Sequence, residues 1–367
     1  MNKQFAIFVN IVVALTLLLT TSACNSVPTA TTTSQPTDVS TQAIVATDQL
    51  TAEAVAEATL VPIPVRIAWQ PYASPIFYTI RELKLFEKAG LAPEYVKFTA
   101  GPPEFAAFKS NSVDIGMFGT TGMVVGASQD LGYEGFYIQT QSSYTDGLIV
   151  RNDSGVKKVE DLKGKKVGYT RGTSSHLGLL QALEKSNMTM DDIQAVALDV
   201  TALPAAFANK DIDAAYSWEP WLSKMGKDGT VLLRTHDIGT PTSDIWVVRK
   251  AWAKDNAEAM RRIFYAISLA NQAYQTDRSI AVAATMENVG IDETTAKKIL
   301  DMTPVTTFDQ LADPQFELSL VSPTGAQSMV QAVADFLFAQ TVINTKVDAS
   351  LYVNGSYFKD YLAKPIQ

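Results

Sequence analysis

The feature that most constrains the fold is an approximate repeat of two short stretches. Residues Val113–Gly122 read VDIGMFGTTG, and residues Asp211–Trp221 read DIDAAYSWEPW. Each stretch places an acidic residue before an apolar, strand-like run and ends in a loop that contains Gly or Trp. A sequence that contains such a pattern twice is expected to fold into two similar structural units.

The segments that precede the two stretches also match. The first runs through a strand VRIAWQ from Val65, a helix that opens at Pro75, a strand YVKFT, a short helix PPEFAAFKSNS and the strand around Asp114. The second repeats this order between Val167 and Asp213, over 46 positions against 49 in the first. Alternating strands and helices predict parallel-rich sheets flanked by helices, so the repeat predicts an α/β protein with two lobes and a cleft between them.

Four strand ends are expected to face this cleft. Ligands of open α/β sheets bind outside the carboxyl ends of the strands, and the four ends read WQPYAS, FGTTG, YTRGTSSH and YSWEPW. Two further stretches, TDGLIVRN (145–152) and TPTSDIWVVRK (240–250), are interpreted as crossing strands that hinge the lobes. The chain after residue 250 is mostly helical in pattern and is expected to pack on the first lobe.

The N-terminus has the pattern of an export signal. An apolar run from Phe5 to Leu19 is short for a membrane span, and it leads through small residues to Cys24, the only cysteine of the chain. This resembles a bacterial lipoprotein signal, which predicts a signal peptide over 1–24 and lipid attachment at Cys24; the alternative is ordinary signal cleavage with an incidental thiol. Residues 25–63, rich in Thr, Ala, Ser, Val and Pro, are expected to form a flexible tether.

The composition narrows the class of function. The chain has a formal net charge of −8 and no basic stripe, which argues against nucleic-acid binding. The roughly 300 residues after the tether exceed one typical core, which agrees with two lobes.

The chain resembles a known family through IAWQ, VDIGMFGTTGMVVGASQ, EDLKGKKVGYTRGTSSHLGLLQAL, DIDAAYSWEPWL and GTPTSDIWVV. Together these are similar to the periplasmic binding proteins of nitrate, taurine and sulfonate ABC importers, with the greatest likeness to taurine-binding proteins. The resemblance implies the two-lobed periplasmic-binding-protein fold of type II. The expected division is a first lobe over 64–149 and 246–367 and a second lobe over 150–245. It also implies a lipid-anchored, extracytoplasmic monomer that captures a small solute, most readily taurine or a related aminosulfonate, and delivers it to a membrane permease.

An aminosulfonate needs an anion receptor and a cation receptor. Free N–H groups at a helix N-terminus favour a negative group, so the anion receptor is placed at GTSSH and at the facing GTT loop; an ordinary helix cap is the alternative. The candidate residues are Gly119, Thr120, Thr121, Thr173, Ser174, Ser175 and His176.

The cation receptor is placed at Asp244, because a ligand ammonium would compensate a buried carboxylate. By resemblance to the taurine-binding pattern Asp244 is the preferred residue. Glu219 departs from that pattern and is either a ligand contact or part of a salt bridge at the rim. Gln70 is expected to donate a hydrogen bond. One or two of the aromatic residues at the same loop ends are expected to line the cleft; the candidates are Trp69, Tyr72, Tyr169, Trp218 and Trp221.

The sequence also bears on functions other than solute binding for transport. The family also includes proteins that resemble a pyrimidine-synthesising enzyme of thiamin production, but that activity needs a reactive His and a Cys-rich stretch, and this chain has two His and one Cys. No catalytic residue, metal site or cofactor is therefore predicted. A sensor-linked binding protein remains an alternative, as do other ligands: an alkanesulfonate, nitrate, or a guanidinium or amine cation held by two carboxylates.

Overall fold

The two copies of the repeat fold into two five-stranded mixed sheets. The computed structural model describes residues 61–239 and 242–366; the predicted signal peptide, Cys24 and nearly all of the tether lie outside them. The first sheet has the order β2-β1-β3-β10-β4 and the second the order β7-β6-β8-β5-β9. The strands are β1 (Ile63–Trp69), β2 (Leu91–Lys97), β3 (Ile115–Gly119), β4 (Tyr133–Gln141), β5 (Asp146–Arg151), β6 (Lys166–Tyr169), β7 (Gln194–Ala197), β8 (Ala214–Trp218), β9 (Gly229–Arg234) and β10 (Ser243–Arg249).

Helices flank both sheets and make up most of the C-terminal part. They are α1 (Pro75–Glu82), α2 (Leu85–Lys88), α3 (Gly101–Lys109), α4 (Thr120–Ser128), α5 (Ser174–Lys185), α6 (Leu203–Ala208), α7 (Trp221–Met225), α8 (Lys250–Asp255), α9 (Ala257–Thr276), α10 (Ser279–Val289), α11 (Glu293–Asp301), α12 (Phe308–Ala312), α13 (Ser328–Ala339) and α14 (Ser356–Ala363). The single helix expected from Pro75 is divided into α1 and α2, because Lys84 between them adopts a left-handed backbone with φ of 52°.

The two sheets have the same topology. In each, three parallel strands are followed by one antiparallel strand and a fifth edge strand. The antiparallel strand is β10 in the first sheet and β5 in the second, so each lobe receives one strand from the part of the chain that has just left the other lobe. The chain crosses from the first sheet to the second at 142–145, and it returns to the first sheet between β9 and β10.

The acidic residue of each repeated stretch has a structural role. Asp114 accepts a hydrogen bond from the backbone N–H of Arg66 at 3.0 Å, and Asp213 accepts one from the backbone N–H of Lys166, also at 3.0 Å. Each carboxylate thus ties the central strand of its sheet to the neighbouring parallel strand. The repeat in the sequence is explained by this pairing and by the loops that follow β3 and β8.

Each lobe has its own apolar core. In the second sheet Leu148 and Val150 face one core cluster and Ile149 faces another, as the two-residue period of a strand requires. The C-terminal helices α9 and α13 pack on the first sheet, and their buried residues share a cluster with Trp246 of β10, as expected. Among the described residues, none of the helices is long and apolar enough to cross a membrane.

Candidate functional site

A cavity lies between the two lobes at the carboxyl ends of the parallel strands. All four predicted loops contribute to it, together with the first crossing and the start of α3. Its lining consists of Gln70, Tyr72, Ala73, Gly101, Phe118, Gly119, Gly122, Ser142, Thr145, Asp146, Thr173, Ser174, Trp218, Glu219 and Asp244. The cavity has a volume of about 50 Å³. Such a cavity is suited to a small ligand.

Two helix N-termini, one from each lobe, meet at the cavity. A Cβ atom placed on Gly119, the residue before α4, would lie 3.9 Å from Cβ of Ser174 at the start of α5. Within the described part of the chain neither helix has a side-chain cap, and the Thr173 hydroxyl donates instead to the carbonyl of Thr170. The free N–H groups and the positive ends of both helix dipoles thus face one small space, where they favour an anion.

Asp244 lies in β10, where it is the register partner of Gly119 at the end of β3. Its side chain is buried, and Oδ2 accepts a hydrogen bond from the Thr140 hydroxyl at 2.5 Å. Burial raises the pKa of Asp244 to about 7, and the bond from Thr140 works in the opposite direction. No positively charged side chain within residues 61–239 and 242–366 forms an ion pair with it. Asp244 is therefore a carboxylate that a ligand cation would stabilise.

A second buried carboxylate in the cavity, Asp146 at the start of β5, was not predicted. Burial raises the pKa of Asp146 to about 8; the neighbouring Ser174 side chain lowers it, and the charge of Asp244 raises it further. Its Oδ2 atom has no hydrogen-bond partner among the described residues. The two carboxylates come from different lobes and act on each other across one cavity, so a cation between them would relieve the repulsion.

Glu219, in contrast, already has partners for both oxygen atoms. Oε1 accepts a hydrogen bond from Arg234 at 3.0 Å, and Oε2 accepts one from the backbone N–H of Ser223 at 2.9 Å. Arg234 also donates to the carbonyl of Thr145 at 3.0 Å. Of the two alternatives for Glu219, this geometry favours the salt bridge. Its carboxylate closes one wall of the cavity without needing a ligand cation.

Gln70 contributes to the wall, but in a different role from the predicted donor. Its Nε2 atom donates to Oε1 of Glu104 and to the carbonyl of Met117, both at 2.7 Å. Both amide hydrogens are thereby directed into the protein. The carbonyl oxygen of Gln70 is the group left for a ligand, so Gln70 is positioned to accept.

Four of the predicted anion-binding residues do not line the cavity. Thr120 is fully buried and exchanges hydrogen bonds with the backbone of Ser243, which joins α4 to β10. Ser175 donates to the carbonyl of Tyr216 and accepts from the N–H of Thr170. His176 packs against Tyr169 with ring centroids 4.9 Å apart, and burial lowers its pKa to about 4. Thr121 is also fully buried.

The aromatic candidates divide into two groups. Tyr72 and Trp218 line the cavity. Trp69, Tyr169 and Trp221 are instead members of the apolar cores.

Three buried side-chain atoms in the wall have no partner in the described parts of the chain: the hydroxyls of Tyr72 and Ser142 and Oδ2 of Asp146. Buried polar atoms without partners are uncommon in proteins. The two hydroxyls can donate to an anion or accept from a cation, and Asp146 supplies negative charge once it has released its proton. Such a wall is suited to a small, strongly polar ligand. A search of the described residues finds no group of three or more His, Cys, Asp or Glu side chains arranged to hold a metal ion.

Comparisons with known proteins agree with this architecture. A family model described as NMT1/THI5 like matches residues 70–277. The taurine-binding periplasmic protein of Escherichia coli (strain K12) is 30% identical over 215 residues, which cover 58% of this chain and 67% of that protein.

Two solved structures match the fold over most of their length. The alkanesulfonate-binding protein SsuA from Xanthomonas axonopodis pv. citri, bound to MOPS, has a TM-score of 0.68 at 22% identity, covering 79% of this chain and 98% of that one. The periplasmic aliphatic sulphonate binding protein SsuA from Escherichia coli has a TM-score of 0.67 at 23% identity, covering 81% and 99%. These likenesses confirm the predicted periplasmic-binding-protein fold.

Proposed function

The chain belongs to the NMT1/THI5-like family, and we propose that it is an extracytoplasmic binding protein that delivers taurine or a related small aminosulfonate to an ABC importer. The relative of 30% identity is a taurine-binding periplasmic protein, and both solved neighbours bind sulfonates. The names of these proteins support a sulfonate as the ligand. The groups that line the cavity support a ligand that carries both an anionic and a cationic group.

One observation carries the proposal: a single small cavity holds two uncapped helix N-termini and two buried carboxylates without ion-pair partners in the described chain. A sulfonate bound on the cavity side of the two helix N-termini would accept from the N–H groups of both lobes. An ammonium near Asp146 and Asp244 would offset the desolvation of both carboxylates. Because the two receptors lie in one cavity, a short zwitterion can satisfy both.

The proposal also explains how binding would be coupled to transport. The two N-termini belong to different lobes, and their positive ends repel each other when the space between them is empty. A bound anion reverses this interaction and favours the closed arrangement, which is the form that a permease would recognise. No step of bond making or breaking is required, in agreement with a binding protein.

The experiment is isothermal titration calorimetry on the purified protein with taurine, ethanesulfonate, nitrate and guanidinium. We expect taurine to bind and ethanesulfonate, which lacks the amine, to bind at least about thirtyfold more weakly, because both carboxylates then stay buried without a cation. Equal affinity for taurine and ethanesulfonate would remove the cation receptor from the proposal. MOPS serves as a size control, since it is a much larger sulfonate than taurine.

A second candidate ligand is a guanidinium-type cation. The observation that favours it is the presence of Asp146 and Asp244 together, because two carboxylates can hold a planar cation through paired hydrogen bonds. In the same titration, strong binding of guanidinium without binding of taurine would establish this alternative. It would also mean that the helix N-termini hold no ligand anion.

We further propose that Cys24 carries a lipid that anchors the protein to the outer face of the cell membrane, where the importer is located. The apolar run and the small residues before Cys24 support this. Metabolic labelling with a radioactive fatty acid should mark the wild-type chain and not Cys24→Ser. Equal labelling of both chains would contradict the anchor.

A further inference from the structure

The kind of amine that the cavity accepts can be read from the hydrogen-bonding groups around it, provided that the proposed function holds. A primary ammonium has three N–H donors, and each added methyl group removes one. The number of acceptors in the wall therefore determines which amines bind without leaving polar atoms unpaired.

Gln70 supplies an acceptor because its donors are already used. Both bonds from Nε2, to Glu104 and to the carbonyl of Met117, are 2.7 Å long and fully buried. Turning the amide over would place its oxygen against the Met117 carbonyl, an acceptor against an acceptor. The oxygen of Gln70 is thus held on the cavity side.

Glu104 takes the second amide hydrogen, and its surroundings make it suitable for this. The residue lies in α3, has no exposed surface, and its Oε2 atom would be 3.0 Å from a Cβ placed on Gly116. Burial raises the pKa of Glu104 well above its ordinary value, and its Oε1 atom accepts the hydrogen bond from Gln70. Without Glu104, one N–H of Gln70 would be free to turn toward the ligand.

We infer that the cavity recognises an unsubstituted primary ammonium through three acceptors, Gln70, Asp146 and Asp244, and that Glu104 is the positioning residue that keeps Gln70 an acceptor. Gln70 directly follows β1, Asp146 begins β5 and Asp244 lies in β10, and all three line the same cavity. In the proposed binding mode they share one ammonium nitrogen. N-Methylation of the ligand leaves one of these acceptors without a donor.

Two isomeric ligands separate this effect from size. N-Methyltaurine and 3-aminopropanesulfonate have the same atoms, but only the second keeps three N–H donors. By calorimetry, 3-aminopropanesulfonate should bind the wild-type protein about tenfold or more tightly than N-methyltaurine. Equal affinity for the two isomers would overturn the inference, because the affinity would then depend on the size of the ligand and not on its number of N–H donors.

Variants test the part played by Glu104. Glu104→Met should reduce the preference for 3-aminopropanesulfonate over N-methyltaurine to about threefold or less, and Glu104→Gln, which keeps an acceptor, should restore it. In a Gln70→Met background the Glu104→Met change should have no further effect on either affinity. Gln139→Met is the matched control, since Gln139 is a buried glutamine of the same lobe that bonds to Ser74 and to the N–H of Phe77.

The outcomes distinguish the inference from the proposed function. Absence of taurine binding to the wild-type protein would overturn both. Taurine binding with an isomer preference that Glu104→Met leaves unchanged, or that Gln139→Met reduces equally, would overturn the role of Glu104 and leave the proposed function in place. A thermal melt of each variant checks that it is folded before its affinities are compared.

Discussion

Replacing Asp146 with asparagine is expected to stabilise the ligand-free protein at neutral pH while it weakens the binding of an amine. The pKa of Asp146 rises from an ordinary 3.8 in the unfolded chain to about 8 in the folded protein. The folded state thus holds a proton that the unfolded state has released at pH 7. Stability from this group is fully present below pH 3.8 and is lost progressively as the pH rises toward 8.

The magnitude follows from the difference in pKa. At pH 7 the carboxyl is about 3 pH units above its unfolded pKa and still largely protonated when folded, which corresponds to a cost of about 4 kcal/mol at most. Water that enters when the lobes open reduces this cost, so we expect a gain of about 1–2 kcal/mol for Asp146→Asn. In a protein of this size the melting temperature would rise by about 2–4 °C.

The assay is differential scanning calorimetry of the ligand-free wild type and variant at pH 7 and pH 4. The gain should be present at pH 7 and nearly absent at pH 4, because pH 4 is close to the unfolded pKa of 3.8 and little of the cost remains there. Asp114→Asn is the matched control: Asp114 is equally buried but paired with Arg66 and Arg249, which lower its pKa, so its replacement should lower the melting temperature at pH 7. A gain for Asp146→Asn that is the same at both pH values would refute the reasoning.

Three further predictions concern the carboxylates of the cavity. Asp244→Asn should weaken taurine binding at least about thirtyfold without lowering the melting temperature, as measured by calorimetry. Affinity for taurine should rise between pH 5.5 and pH 8, because the pKa values of Asp244 (about 7) and Asp146 (about 8) require proton release on binding; titrations in buffers of different ionisation enthalpy count the protons, and a flat profile would contradict this. Glu219→Gln should cost about 1–2 kcal/mol of stability by unpairing Arg234, yet weaken taurine binding less than Asp244→Asn does. A larger loss of taurine affinity in Glu219→Gln than in Asp244→Asn would instead indicate that Glu219 contacts the ligand.

The sequence predicts the architecture well because the repeat determines it. Parallel strands, flanking helices and the four loops at the cleft all follow from the periodicity of two similar segments. The strands β4 and β9 were missed because they lie outside the repeated unit, and their position at the sheet edge follows only from the two crossings of the chain. The single helix predicted from Pro75 was wrong because nothing in its apolar spacing indicates the left-handed backbone of Lys84.

The site was only partly predictable, for reasons that individual residues show. Asp146 carries the same signal as Asp244, an acidic residue directly before an apolar strand, but only Asp244 lies in a stretch that resembles the taurine-binding pattern. The sequence of a helix start such as 172–176 identifies possible hydrogen-bond donors, but it does not show which of them already donate to other groups of the protein. The hydroxyls of Thr173 and Ser175 donate to backbone carbonyls of their own lobe. The direction of the Gln70 amide depends on Glu104 and Met117, which no local pattern connects to it.

The positions of Asp146 and Asp244 along the chain bear on how binding and closure are related. Asp146 is the first residue of β5, directly after the first crossing, and Asp244 follows the second crossing in β10. The crossings are bonded to each other, since the N–H groups of Ser142 and Ser143 both donate to the carbonyl of Thr242. On the proposed binding mode, the cation receptor is thus attached where the lobes are joined and changes little when they separate. The ammonium therefore contributes affinity whether the lobes are open or closed. The helix N-termini belong to separate lobes, so the sulfonate contributes the preference for the closed arrangement.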